Sequence, residues 1–208
     1  MADVIQSFGF ENDDIKGGVF TKFKGKKGEI ARIGIIYTDP KAMFVGAKAH
    51  FKDRFFLCKS GICCDKLGPS KYRVGCAIVK YNTDRMGTPK TPFSYELYPW
   101  LFSESTFIKL KTLNSEFPLA SHDIKISCTN DEYQHLDITP CNETIWQAKE
   151  ELKTAILNEA RAIWDNVKRS VASDLSVEEI KELLGDSSGG GGSDPTTTVD
   201  LDKVLSTI

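Results

Sequence analysis

The sequence predicts a mainly β fold, a small barrel or sandwich, followed by C-terminal helices. Three observations predict it. Up to about Pro140, apolar residues alternate in short runs separated by Gly, Pro, Asn and Asp. Beyond Pro140 the period lengthens: Leu152, Ala155, Ile156, Ile163, Val167 and Val171 fall on one helical stripe. The composition of 208 residues, 40% hydrophobic and 10% aromatic, supplies a buried core and excludes a wholly disordered chain.

The elements follow in order. Val19–Lys24 alternates, Gly25-Lys26-Lys27-Gly28 is a turn by composition, and Glu29–Tyr37 places Ala31, Ile33 and Ile35 inward, so the stretch predicts a β-hairpin with a basic tip. A second extended region runs from Lys41 to Leu57 after Asp39-Pro40. Lys71–Tyr81 predicts a strand with Tyr72, Val74, Cys76 and Ile78 on one face and Lys71, Arg73, Ala77 and Tyr81 on the other. Phe93–Tyr98 predicts a strand that Pro99 stops. Ser103 predicts an N-cap for a short helix carrying Phe107, Leu110 and Leu113. Ile124–Cys128 and Tyr133–Thr139 predict a further hairpin, and the helical stripe extends from about Ile145 to Val171. Ser176 and Glu179 have capping-box spacing, Leu175 and Ile180 the staple positions, and Gly185 closes that last helix.

The chain therefore divides into an acidic segment (1–15), a β core (16–144), C-terminal helices (145–185), a Gly-rich linker (186–193) and an acidic tail (194–208). The tail, expected to be disordered, alternates acid and aliphatic residues. Asp200, Leu201, Asp202 and Leu205 are its candidate partner-binding residues; a frayed terminus is the alternative.

His50, Cys58, Cys63 and Cys64 lie within fifteen residues, inside a candidate module at 48–68. Thiolates and imidazole are the usual ligands of tetrahedral zinc, so one zinc ion is the expected cofactor; free buried thiols are the alternative. The opening Met-Ala-Asp-Val-Ile-Gln lacks the features of a secretory signal, which favours reduced thiols or metal ligands over disulfides. Cys76, Cys128 and Cys141 read as core or edge thiols. No apolar run approaches the roughly 18–20 residues of a membrane span.

A net charge of −2 hides an asymmetry: residues 16–90 carry 17 basic and 5 acidic side chains, and residues 91–208 carry 10 and 20. Such a basic segment either meets a polyanion or is a solvated face. Basic strands interleaved with aromatics suit single-stranded nucleic acid, because phosphates need cations and unstacked bases need flat rings. The candidate cations are Lys22, Lys24, Lys26, Lys27, Arg32, Lys48, Lys52, Arg54, Lys71, Arg73 and Lys80. The candidate rings are Tyr37, Phe51, Tyr72, Tyr81, Tyr95, Tyr98 and Trp100. No phosphate-binding Gly loop, nucleophile elbow or HExxH helix is present, and His122 and His135 lack triad neighbours, so the chain reads as a binding protein and not an enzyme.

In the order of these features the chain resembles the T-even phage single-stranded DNA-binding (helix-destabilising) proteins. The resemblance rests on Ala31-Arg32-Ile33-Gly34-Ile35-Ile36, the His50…Cys58…Cys63-Cys64 module, the basic-aromatic strand Lys71–Tyr81, the strand Pro92–Tyr98, and the tethered acidic tail. It covers about residues 19–140 and the style of the tail. It implies an OB-type barrel with an inserted zinc module, sequence-independent binding of single-stranded DNA, and a tail that recruits replication or recombination enzymes in the cytoplasm of the infected host. Two features depart from the family pattern. Cys63 and Cys64 adjoin where the family spaces its last two ligands as CxxC, and residues 1–15 are acidic where the family carries a basic arm. Two rivals to this reading are a phage transcription cofactor that binds RNA polymerase and an RNA-binding module.

Overall fold

The computed structural model describes residues 6–8, 27–128 and 136–185. Within them the strands are β1 (Gln6–Phe8), β2 (Ile30–Ile36), β3 (Phe44–Lys52), β4 (Arg54–Leu57), β5 (Lys71–Tyr81), β6 (Tyr95–Ser103), β7 (Ile124–Cys128) and β8 (Leu136–Pro140). The helices are α1 (Cys64–Leu67), α2 (Glu104–Glu116), α3 (Glu150–Val171) and α4 (Val177–Leu183). The first half of the expected N-terminal hairpin, with Lys22, Lys24 and Lys26, lies outside the described residues, as do His135 and the linker and tail with Asp200, Leu201, Asp202 and Leu205.

The sheet is antiparallel and branches at β5. One edge of β5 pairs with β6 from Arg73 to Tyr81. The other edge takes β3 along Lys71–Gly75 and β2 along Ala77–Lys80, so β2 and β3 lie end to end with the turn at Pro40–Ala42 between them. β2 continues to β7 and β8, while β3 carries β1 and β4.

β6 and β8 stand four strands apart along the path β6–β5–β2–β7–β8, about 19 Å in a flat sheet. Yet Trp100 and Phe102 of β6 share one core with Leu136 of β8, Ile33, Ile35 and Ile124. The sheet therefore curls around that core. Ser103 caps α2 by accepting from the Thr106 amide, and α2 buries Phe107 and Leu110 while touching β6, β5 and β8. The helix thus bridges the gap between the end strands. Among the described residues the strands do not close into the expected barrel.

α3 covers the opposite face of the sheet. Its stripe of Ile156, Ala160, Val167 and Val171 is buried against β5, β6 and β3. A Cβ at Gly75 would come within 2.7 Å of Leu101 Cδ2 and 2.8 Å of Val167 Cγ1, so only glycine lets helix and strand approach this closely.

Three sequence expectations are corrected here. β5 is buried on both sides, because the face of Ala77 and Tyr81, on which Tyr81 is a candidate stacking ring, lies under α3. β6 runs through Pro99, which lies opposite Ala77 on a strand that pairs only with β5 among the described residues, where a missing amide is tolerated. α3 starts at Glu150 and not Ile145, because the Ile145 and Trp146 amides are held by Asp123 and by the Tyr81 hydroxyl.

Candidate metal centre and basic surface

The Cys/His cluster is built where β3 and β4 meet the C-terminal segment. His50 sits near the end of β3, and Cys58 directly follows β4. Cys63 has helical backbone at the N-cap of α1 and Cys64 is its first residue, so the bend lets two adjacent side chains turn to one point. His50 Nε2 lies 3.3 Å from Cys58 Sγ and 3.5 Å from Cys64 Sγ. Cys58 Sγ lies 3.4 Å from Cys64 Sγ and 3.8 Å from Cys63 Sγ. All four donors fall within 4.8 Å of one another, so the cluster can hold a metal ion. Metal–sulfur bonds of about 2.3 Å in a tetrahedron give edges of about 3.8 Å, close to these separations.

The electrostatics suit a ligand set. Burial pulls His50 below its usual value, which keeps the imidazole neutral. Burial pushes the Cys63 thiol up, although the Lys59 amide donates to its sulfur at 3.2 Å. A hydrogen bond to Cys58, with burial behind it, raises Cys64. Cys63 and Cys64 thus resist ionisation until a cation joins them.

The C-terminal helix, read in the sequence only as a well-capped element, is the lid of this module. Its capping box of Ser176 and Glu179 forms as expected. Leu175 and Ile180 pack on Phe56, Cys58 and Cys63. Ser173 pairs with β4 through Leu57 N to Ser173 O at 3.0 Å and Ser173 N to Phe55 O at 2.9 Å. Lys59 adds an ion pair to Asp174 at 2.6 Å.

The candidate nucleic-acid residues separate into three groups. Lys48, Phe51, Lys52, Arg54 and Lys71 are exposed on the β3–β4 hairpin or at the adjoining end of β5, with Tyr72 half-buried beside them. Phe51 is 61% exposed, and its ring centroid lies 4.9 Å from that of Phe55. At the far end of β5, about 30 Å away at the usual rise per residue, half-buried Lys80 and Tyr95 line a cleft of about 760 Å³. Tyr95 donates to Glu159 there, and exposed Tyr98 donates to Glu96. Lys27 is exposed.

The third group is turned into the protein: Trp100, Tyr81 and Arg73 are buried and Arg32 and Tyr37 half-buried, which corrects the stacking role expected of Trp100 and Tyr81. Trp100 and Tyr81 are fully enclosed by the two cores and offer no face to a base. Tyr37 packs edge-on against Trp146 and donates to the Ala120 carbonyl at 2.6 Å. Arg32 gives its Nε to Asp123 at 3.1 Å and its Nη2 to the Glu143 carbonyl at 2.9 Å. Arg73 is also buried, stacked 3.5 Å above the Phe55 ring.

Asp123, unremarked in the sequence, organises much of this group. It accepts from Arg32, from the Tyr81 hydroxyl at 3.2 Å, from Thr144 Oγ1 at 2.8 Å and from the Ile145 amide at 3.1 Å. Burial raises its carboxyl, while Thr144, Ile145 and Arg32 pull it back. Burial, reinforced by the Asp123 charge, pushes the Tyr81 phenol well up, so it remains a donor. Lone carboxylates and tyrosines carry no sequence signal for such long-range pairing.

Comparison of the chain with family models, with curated proteins and with solved structures finds no match. No helix of the described residues is long and apolar enough to cross a membrane.

Proposed function

We propose that the protein binds single-stranded DNA without sequence preference, and that a zinc ion in the Cys/His cluster holds the binding hairpin in shape. The observation that carries this reading is the β3–β4 hairpin. It exposes Lys48, Lys52, Arg54 and the Phe51 ring, with Lys71 on the adjoining strand, and β3, which carries Lys48, Phe51 and Lys52, also carries His50 of the four-donor cluster. Cations take phosphates, and the Phe51 ring offers a surface on which a base stacks, worth about 1–3 kcal/mol. Three thiolates and one imidazole form a Cys₃His set, which favours zinc in a structural, closed site. The curled sheet bridged by α2 supports an OB-type reading of the core. The tail beyond the Gly-rich linker, with Leu201 and Leu205 among its acids, is assigned to recruiting a replication or recombination enzyme on its sequence pattern.

Titration of fluorescent oligothymidylate, oligouridylate and duplex DNA tests the reading. The single DNA strand is expected to bind tightest, and Phe51→Ala to weaken it roughly tenfold. Equal or tighter duplex binding overturns the reading, and tighter oligouridylate binding replaces DNA with RNA.

A further inference from the structure

Two buried charged side chains keep an unpaired atom among the described residues, Arg73 at Nε and Glu104 at Oε1, and of the two Arg73 lines a cavity. The large cleft at the other end of β5 mixes Lys80, Arg85 and Lys90 with Glu29, Asp84 and Glu96, so its charges oppose one another. Arg73 has no such counterpart among the described residues. It is 6% exposed, and its Nε, wholly buried, finds no acceptor among the described residues. Burial alone pulls its pKa down to about 10, with no carboxylate holding it up, and the side chain remains a cation at neutral pH.

Phe55 covers one flat face of the guanidinium at 3.5 Å. That stack fixes the plane of the fork and leaves its edge N–H groups for an acceptor. Arg73 lines a cavity of about 210 Å³ together with Phe51, Tyr72, His50 and Ser103, and exposed Lys71 stands at its rim. The cavity is smaller than the roughly 300–1,000 Å³ of sites that enclose a drug-sized ligand. A planar buried fork beside a second cation matches a tetrahedral oxyanion, which a guanidinium engages through two parallel hydrogen bonds.

We infer that this cavity is the seat of a single phosphate group, held by the Arg73 fork with Lys71 at the rim. The inference rests on the nucleic-acid reading only for the source of that phosphate. A phosphodiester within a strand and the phosphomonoester at a strand end share the required chemistry. In either case Phe51 lies beside the seat, where the neighbouring base would stack.

The test is the Arg73 Nε–Hε resonance in nitrogen-15-labelled full-length protein, titrated with inorganic phosphate, with the backbone amides of Phe51 and Tyr72 in the same cavity as the probes in variants that lack Arg73. The expected result is a saturable shift of that resonance, with affinity reduced at least about tenfold in Arg73→Lys and abolished in Arg73→Met. Lys153→Gln on α3 leaves it unchanged. Oligothymidylates with and without a 5′-phosphate then compete for the seat. Displacement by both assigns an internal phosphodiester, and displacement by the phosphorylated strand alone assigns a strand end. If phosphate shifts Arg73 and neither strand competes, the seat stands and its link to nucleic acid falls. Absence of a phosphate-dependent shift in the wild-type protein overturns the seat itself, as does unaltered phosphate affinity in a folded Arg73→Met.

Discussion

Asp123 and Arg73 are buried charges of opposite sign in the same protein, and the fold treats them in opposite ways. Asp123 is fully enclosed and receives four donors, among them a guanidinium, a phenol and a backbone amide. Arg73 is nearly as enclosed and receives an aromatic face, with no acceptor for its Nε among the described residues. A satisfied buried charge is a fastener: it joins β2, β5 and the segment that leads into α3. An unsatisfied one costs stability and offers its hydrogen bonds to something that arrives later.

The largest effect expected from this contrast is at the fastener. Asp123→Ala strands Arg32, Tyr81 and two other donors, and is expected to cost about 3–5 kcal/mol in urea denaturation. A loss below about 1 kcal/mol would show that water replaces the carboxylate easily.

Removal of the proposed metal is expected to separate the two regions. The Arg73 corner adjoins His50 and the hairpin, whereas the Asp123 network lies on β2, β5 and the 144–146 segment. Chelation is expected to accelerate amide exchange from Phe51 to Cys64 and to leave Ile33–Ile36 unchanged. Uniform acceleration, or none, breaks the separation.

Gly75→Ala probes the shared support of both regions, since a methyl group there meets Leu101 and Val167 at under 3 Å. Pushing α3 away is expected to cost about 1–3 kcal/mol by thermal denaturation. The smallest stability effect is expected at Arg73 itself. Arg73→Met removes an unpaired buried charge and keeps most of the volume, so stability changes by less than about 1 kcal/mol or rises, while phosphate binding is lost. A large loss of stability would make Arg73 a second fastener.

How legible these features are in the sequence depends on their range. The β5 bounds Lys71–Tyr81 and the capping box of α4 follow from local pattern, and the structure reproduces both. The donor set His50, Cys58, Cys63 and Cys64 is also local, and the helical turn at Cys63 resolves how adjacent cysteines converge. What the sequence could not show is which strand face another element covers. Lys71, Arg73, Ala77 and Tyr81 share one side of β5, and alternation marks that side as exposed only if α3 packs elsewhere. Tyr81 and Trp100 therefore read as stacking platforms until α3, the 145–149 segment and α2 are in place. Pro99 misleads for a related reason, because the penalty for proline depends on whether its strand lies at an edge.

The most direct test of the central claim is the salt dependence of oligothymidylate binding, measured by anisotropy for the wild-type protein and for a Lys52→Gln/Lys71→Gln double variant. Each phosphate contact with a single strand contributes a slope of about −0.7 in log affinity against log salt. The account predicts a steep wild-type slope that flattens by about 1.4 in the double variant, with the fold intact. Identical slopes for the two proteins would contradict it, since the β3–β4 corner would then lie away from the nucleic acid.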